Sequence, residues 1–326
     1  MKKLVFVPVA IAAALMAQNA MAVDVPGPLV DPAWLNAHKN DVTILQVSGP
    51  MKEFTTAPVV KNVNGKNEVV SVSGHVPDAH FVDFEDVRVA RMIDGKMVKG
   101  LVPLKADFEK RAQSWGINKD STIVIVPKGL STGDVDEATR LYWQFKYYGQ
   151  KSMAILNGGM AAWLAAGYPA STDVTNMEKG NWVAKGEDKS ILATTAEVKH
   201  AIKHKNMQFA DARPQNQYMG VFTKPGEKHG HLPGAKDISP DLLTTATGSS
   251  ADFLPAASYK SIMKAKGLNP DGATIAYCNT GHLASGLWFE THEIVGNKKA
   301  RLYDGSLVEF SLLEAGKTVY PAMLKL

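Results

Sequence analysis

The 326-residue sequence predicts an α/β protein built from two copies of one domain, each a mainly parallel sheet flanked by helices. Three observations lead there. Short β-rich runs alternate with helical patterns along the chain, the signature of a parallel sheet with crossover helices. The same landmarks return in the same order in the second half, which marks an internal repeat. A polar stretch from Ser171 to Ser190 separates the two halves.

In chain order, residues 1–22, "MKKLVFVPVAIAAALMAQNAMA", carry Lys2 and Lys3, an apolar run from Leu4 to Ala17, and Ala20-Met21-Ala22. That pattern predicts a cleaved secretory signal peptide with the mature chain starting at Val23. The run is too short for a membrane anchor. Residues 23–172 form the first domain, with strands expected in "DVTILQV", "STIVIV" and "SMAIL" and a helix from Asp134 to Tyr148. Residues 173–190 are the linker. Residues 191–326 form the second domain, with strands in "MQFADA", "ATIAYC" and "ARLYD" and a helix from Ala284 to Val295.

The repeat pairs "GHVPDAHFVD" at Gly74 with "GHLPGAKDIS" at Gly230, "STIVIV" with "ATIAYC", and "AILNGGMAAWLAAGYP" with "ARLYDGSLVEFSLLEAGKTVYP". Composition is that of an ordinary globular protein, 45% hydrophobic and 21% charged. The net charge of +4 is spread over scattered lysines, which argues against a nucleic-acid surface. After signal cleavage no membrane association is expected, and the expected location is the periplasm.

Cys278 is the only cysteine of the chain. An exported protein uses cysteines in disulfides, and a single one cannot pair within its own chain, so it is either a small buried hydrophobe or a working thiol. Buried cysteines are the commoner case, but its position speaks for the thiol: "AYCNTGHLASGLW" places it where a strand passes through a tight loop into a helix, the place where parallel sheets bind ligands. There the amides of Asn279 to Leu283 and the positive end of the helix favour a thiolate. Gly281 lets the backbone fold inward, Thr280 supplies a hydroxyl, and His282 is the other titratable group of the loop.

The residues "CNTGHL" at Cys278, "DAR" at Asp211, "GHLPGA" at Gly230 and "YDGS" at Tyr303 resemble the two-domain rhodanese-like sulfurtransferases, over essentially the whole mature chain. The resemblance implies tandem rhodanese-like domains with the second one active. Cys278 then carries sulfane sulfur as a persulfide, cradled by Asn279, Thr280, Gly281, His282 and Leu283, and Arg213 helps bind an anionic donor. The reaction moves sulfur from thiosulfate or 3-mercaptopyruvate to cyanide or a thiol, without metal or organic cofactor. The resemblance also implies a periplasmic sulfur-relay protein as partner. The alternative is a sulfur carrier or binding module with little free turnover. The first domain has Pro127-Lys128 where the second has Cys278, and Gln46-Val47-Ser48 for Asp211-Ala212-Arg213, so its expected role is structural, closing one side of the cleft. Asn279 after the cysteine, Leu283 at the loop end and Gln217 in place of a second arginine depart from the family pattern.

Other motifs read as structure. The loop has no closing arginine for a cysteine phosphatase, since Ala284 follows it. "HEIVG" at His292 lacks a second histidine, which puts Glu293 on a solvated helix face. His200 and His204 lie among lysines on a basic face. "KGLSTGD" at Lys128 lacks the ending of a phosphate loop. His75 and His231 share a Gly-His-x-Pro turn, and Trp143 and Trp288 are expected in the core.

Overall fold

The computed structural model describes residues 23–174, 177–223 and 229–314. Residues 1–22, where the sequence predicts a signal peptide, Thr175 and Asn176 of the linker, and Pro321 of the last repeat landmark lie outside them.

The described residues form two five-stranded parallel sheets, which share one strand order. In the first, Leu29–Val30, Met153–Leu156, Ile123–Val126, Thr43–Ser48 and His80–Asp83 lie side by side. In the second, Leu192–Ala193, Ala300–Tyr303, Thr274–Tyr277, Gln208–Asp211 and Lys236–Asp237 repeat the arrangement. The inner strands Ile123–Val126 and Thr274–Tyr277 are buried at every residue, because helices cover both faces. The tandem α/β reading of the sequence is therefore correct.

Among the described residues three hairpins interrupt the repeat: Val59–Val63 with Lys66–Ser71, Val89–Ile93 with Lys96–Leu101, and Thr244–Thr247 with Ser250–Phe253. The first two turn through Asn64-Gly65 and Asp94-Gly95, with positive φ at all four residues. Such Asn-Gly and Asp-Gly pairs are the sequence signal of tight hairpins.

The domains meet through the helices that follow their middle strands, Thr132–Tyr147 and Leu283–Phe289. Tyr142 and Phe289 pack edge to face at 4.9 Å, and Thr139 Oγ1 and Ser285 Oγ are 2.9 Å apart. One apolar core runs through both domains, holding Phe145, Trp143, Leu287 and Trp288 together. The helix beginning at Leu283 continues as a wider π-helical segment, Glu290–Ile294. The linker is tied down as well: Trp182 is buried against Phe108 and Phe145, and its Nε1 donates to Gln150 Oε1 at 2.9 Å. Among the described residues no helix is long and apolar enough to cross a membrane.

Glu293 corrects the solvated-face reading. Its side chain is buried at the domain interface, 2.9 Å from Lys146 Nζ, with His292 Nδ1 against the same carboxyl. Burial opposes its ionisation, but the bonds from His292 and Lys146 win and hold its pKa down at about 2. His200 and His204 are exposed with rings 4.2 Å apart, and no cluster of three potential metal-binding side chains occurs among the described residues.

Candidate active site

Cys278 follows the strand Thr274–Tyr277 directly, Cys278 to His282 span the gap, and Leu283 opens the helix one residue before the expected start at Ala284. The thiol residue is 2% exposed. Its backbone is clamped: the Cys278 N–H donates to Ser306 Oγ at 3.1 Å, and its carbonyl accepts from Leu307 N–H at 3.1 Å. Asn279 O accepts from Val308 N–H at 3.0 Å. The Ser306 hydroxyl donates onward to Tyr303 O at 2.7 Å, which holds Ser306 in a left-handed conformation.

The four quoted motifs converge on this loop. Asp211 and Arg213 form a buried fork, Nη2 to Oδ2 at 2.6 Å and Nε to Oδ1 at 2.9 Å. Arg213 Nη2 also donates to Gly230 O at 2.7 Å, joining the DAR segment to GHLPGA. Leu232 N–H of that segment donates to the hydroxyl of Tyr277, the residue before the cysteine. Burial works against the Arg213 charge, but the bonds and charge of Asp211 prevail and raise its pKa, and Cys278 adds a smaller effect of the same sign. Arg213 is thus electrostatically coupled to the sulfur position while most of its donors are engaged within the fold.

Two departures from the family pattern form a pair: Asn279 Nδ2 donates to Gln217 Oε1 at 2.8 Å, and both side chains are buried. Gly281 has φ +73°, and a Cβ there would lie 2.3 Å from Asp304 O, so only glycine fits.

Sequence reasoning missed what the first domain adds. Arg88 Nη1 donates to Thr280 Oγ1 at 3.3 Å. The Phe84 and His282 rings are 4.7 Å apart. Gly100, in the second hairpin, lies so close to Thr280 that a Cβ would come within 3.0 Å of the Thr280 Cβ. Arg140 donates to Gly281 O at 3.2 Å and pairs with Asp304, which also accepts from Val102 N–H at 3.0 Å. These partners are far apart in sequence, and no local pattern announces them.

In the first domain Pro127 O and Lys128 O accept from Met160 N–H and Ala161 N–H, as Cys278 O and Asn279 O do in the second. Pro127 therefore stands at the place of the cysteine. Lys128 is neutralised by Glu53 at 2.9 Å. Gln46 bonds Gly74 O and Val76 N–H, so an uncharged amide supports the Gly-His turn there. His75 stacks on Phe54 and His231 on Tyr218, both at 3.8 Å, as expected of structural turns.

Two equivalent parallel sheets, one carrying a cysteine loop braced at the end of its middle strand, define a tandem α/β protein of the rhodanese type. A model of the Rhodanese-like domain matches residues 194–313. A Haloferax volcanii protein named "Putative thiosulfate sulfurtransferase" is 32% identical over 217 residues, covering 64% of this chain and 72% of that protein. The "Sulfur carrier protein TtuD" of Thermus thermophilus is 28% identical over 302 residues, covering 88% and 95%. The solved structure of SseA from Escherichia coli, whose description names the "Rhodanese" fold and 3-mercaptopyruvate sulfotransferases, superposes with a TM-score of 0.68 at 20% identity, covering 86% and 98%. The chain belongs to the two-domain rhodanese-like sulfurtransferase family.

Proposed function

We propose that the protein transfers sulfane sulfur through a persulfide on Cys278. The observation that carries this is the placement of the chain's only cysteine at the strand end, its amide held by Ser306 and its loop braced by Gly281, in a chain of this family. In the first step the Cys278 thiolate attacks the outer sulfur of thiosulfate. The new S–S bond forms as the old one breaks, and sulfite leaves with the electron pair. In the second step cyanide or a thiolate attacks the terminal sulfur and the Cys278 thiolate departs. With 3-mercaptopyruvate the sulfur arrives in the same way and pyruvate leaves after taking a proton. Both displacements balance without metal or organic cofactor. The loop amides and the start of the helix at Leu283 stabilise the negative sulfur.

A second reading has its own support. The similarity to a protein named as a sulfur carrier, and the deep burial of Cys278, suit a module that hands persulfide to a periplasmic partner rather than to free cyanide. Intact-mass spectrometry after incubation with thiosulfate or mercaptopyruvate tests both. One added sulfur on Cys278 supports transfer, and its rapid removal by cyanide marks an enzyme whereas slow removal marks a carrier. No uptake by folded protein from either donor ends the sulfurtransferase reading.

Export through residues 1–22 into a periplasm is part of the proposal, on the strength of Lys2, Lys3, the apolar run and Ala20-Met21-Ala22. Expression with its own leader in a Gram-negative host, followed by N-terminal sequencing of the periplasmic fraction, should find Val23 first.

A further inference from the structure

Arg88 follows the short helix Phe84–Val87 of the first domain, and its guanidinium faces the catalytic loop of the second. Nη1 reaches Thr280 Oγ1 at 3.3 Å, and the guanidinium lies over the Phe84 ring at 4.6 Å, the ring that also packs beside His282. Nε is buried and has no hydrogen-bond partner among the described residues. The other two arginines at the loop are neutralised, Arg140 by Asp304 and Arg213 by Asp211. Among the described residues no carboxylate forms an ion pair with Arg88. A partly buried guanidinium without a counterion is costly until an anion arrives.

We propose that Arg88 captures the oxyanion end of the sulfur donor, so that the cysteine-less domain supplies the specificity group that the loop "CNTGHL" lacks. The inference rests on the sulfurtransferase reading above. With Nη1 held by Thr280, the remaining N–H groups of the planar fork are left to meet two oxygens of one anionic group. That group is the sulfonate of thiosulfate or the carboxylate of mercaptopyruvate, two donors with one recognition chemistry. The electrostatics agree: burial and then the like charge of Arg140 lower the Arg88 pKa, while Cys278 and Asp304 work the other way, which places Arg88 in the field of the thiol. An incoming anion relieves both costs, and the thiolate and the donor share one positive neighbour.

The test separates this from the reading it rests on. In Cys278→Ser, which cannot accept sulfur, thiosulfate and mercaptopyruvate binding are measured by titration calorimetry. Adding Arg88→Gln should weaken binding of at least one anion roughly 10- to 100-fold, and Arg88→Lys should restore part of it. In the cysteine-containing protein, Arg88→Gln should raise KM by a similar factor with kcat within about threefold. A change confined to one donor identifies the oxyanion that Arg88 holds. Lys128→Ala, which removes a first-domain cation already paired with Glu53, should leave binding and KM unchanged. Unaltered binding of both anions in Arg88→Gln, or a fall in kcat and melting temperature with unchanged KM, overturns the inference. If wild-type protein accepts no sulfur yet anion binding still depends on Arg88, the transfer reading fails and the anion site stands.

Discussion

Arg140 of the first domain and Asp304 of the second form an ion pair that is shut off from solvent at the domain interface. Arg140 also donates to Gly281 O and to Gly100 O, each at 3.2 Å, so one side chain ties the cysteine loop, the hairpin of the first domain and the turn behind the cysteine together. Asp304→Asn leaves the guanidinium buried and uncompensated, and should cost about 3–5 kcal/mol of stability in denaturant titrations. The double variant Arg140→Met, Asp304→Leu should recover much of that stability while sulfur transfer stays impaired, because the loop loses its brace. A single variant as stable as wild type would show that the pair does not hold the domains.

Gly281→Ala tests the loop itself. The new Cβ meets Asp304 O at a distance no real contact reaches, in a backbone conformation that L side chains rarely adopt. The loop must shift, at a cost of about 1–3 kcal/mol, and persulfide formation should fall by at least about tenfold. Wild-type kinetics with unchanged melting would remove the loop geometry from the mechanism.

Arg213→Ala is expected to act twice. Asp211 would be left buried without its partner, so the protein should lose roughly 3 kcal/mol of stability. The KM for anionic donors should rise as well, since a positive charge near Cys278 disappears. A rise in KM with full stability would mean that the Asp211 fork matters little to the fold.

Asp136 gives a pH prediction. It is buried in the helix pair between the domains, with both carboxyl oxygens unbonded among the described residues, and a Cβ on Gly286 would lie 1.9 Å from its Oδ1. Burial pushes its pKa well above the usual carboxylate range. Because the folded value lies above the unfolded one, the folded state binds more protons between the two, and stability falls as pH rises from about 4 toward the folded value. Asp136→Asn removes that penalty, and should exceed the wild type by more than about 1 kcal/mol at pH 8 but not at pH 4. Thermal melts across pH check it, and parallel curves for the two proteins would refute it.

The chain by itself determined the two sheets, since short unbroken apolar runs such as "IVIV" at Ile123, alternating with helical patterns, read as strands covered on both faces. It determined the cysteine loop too, because strand, glycine and helix follow one another within a dozen residues. The hairpin turns at Asn64-Gly65 and Asp94-Gly95 are legible in the Asn-Gly and Asp-Gly pairs themselves. The edge strands Leu29–Val30 and Lys236–Asp237, at two residues each, are too short to show a period. Only the tertiary structure decided that Arg88, Arg140 and Gly100 face a loop 141 to 192 residues away, that Glu293 is buried against Lys146, and that Trp182 anchors the linker. The reason is physical. Periodicity records which face of an element is apolar, whereas the charge that meets the cysteine loop depends on how the two sheets dock through their middle helices. That docking is set by shape and by the apolar area removed from water over the whole interface, a sum to which no single stretch of sequence contributes a readable share.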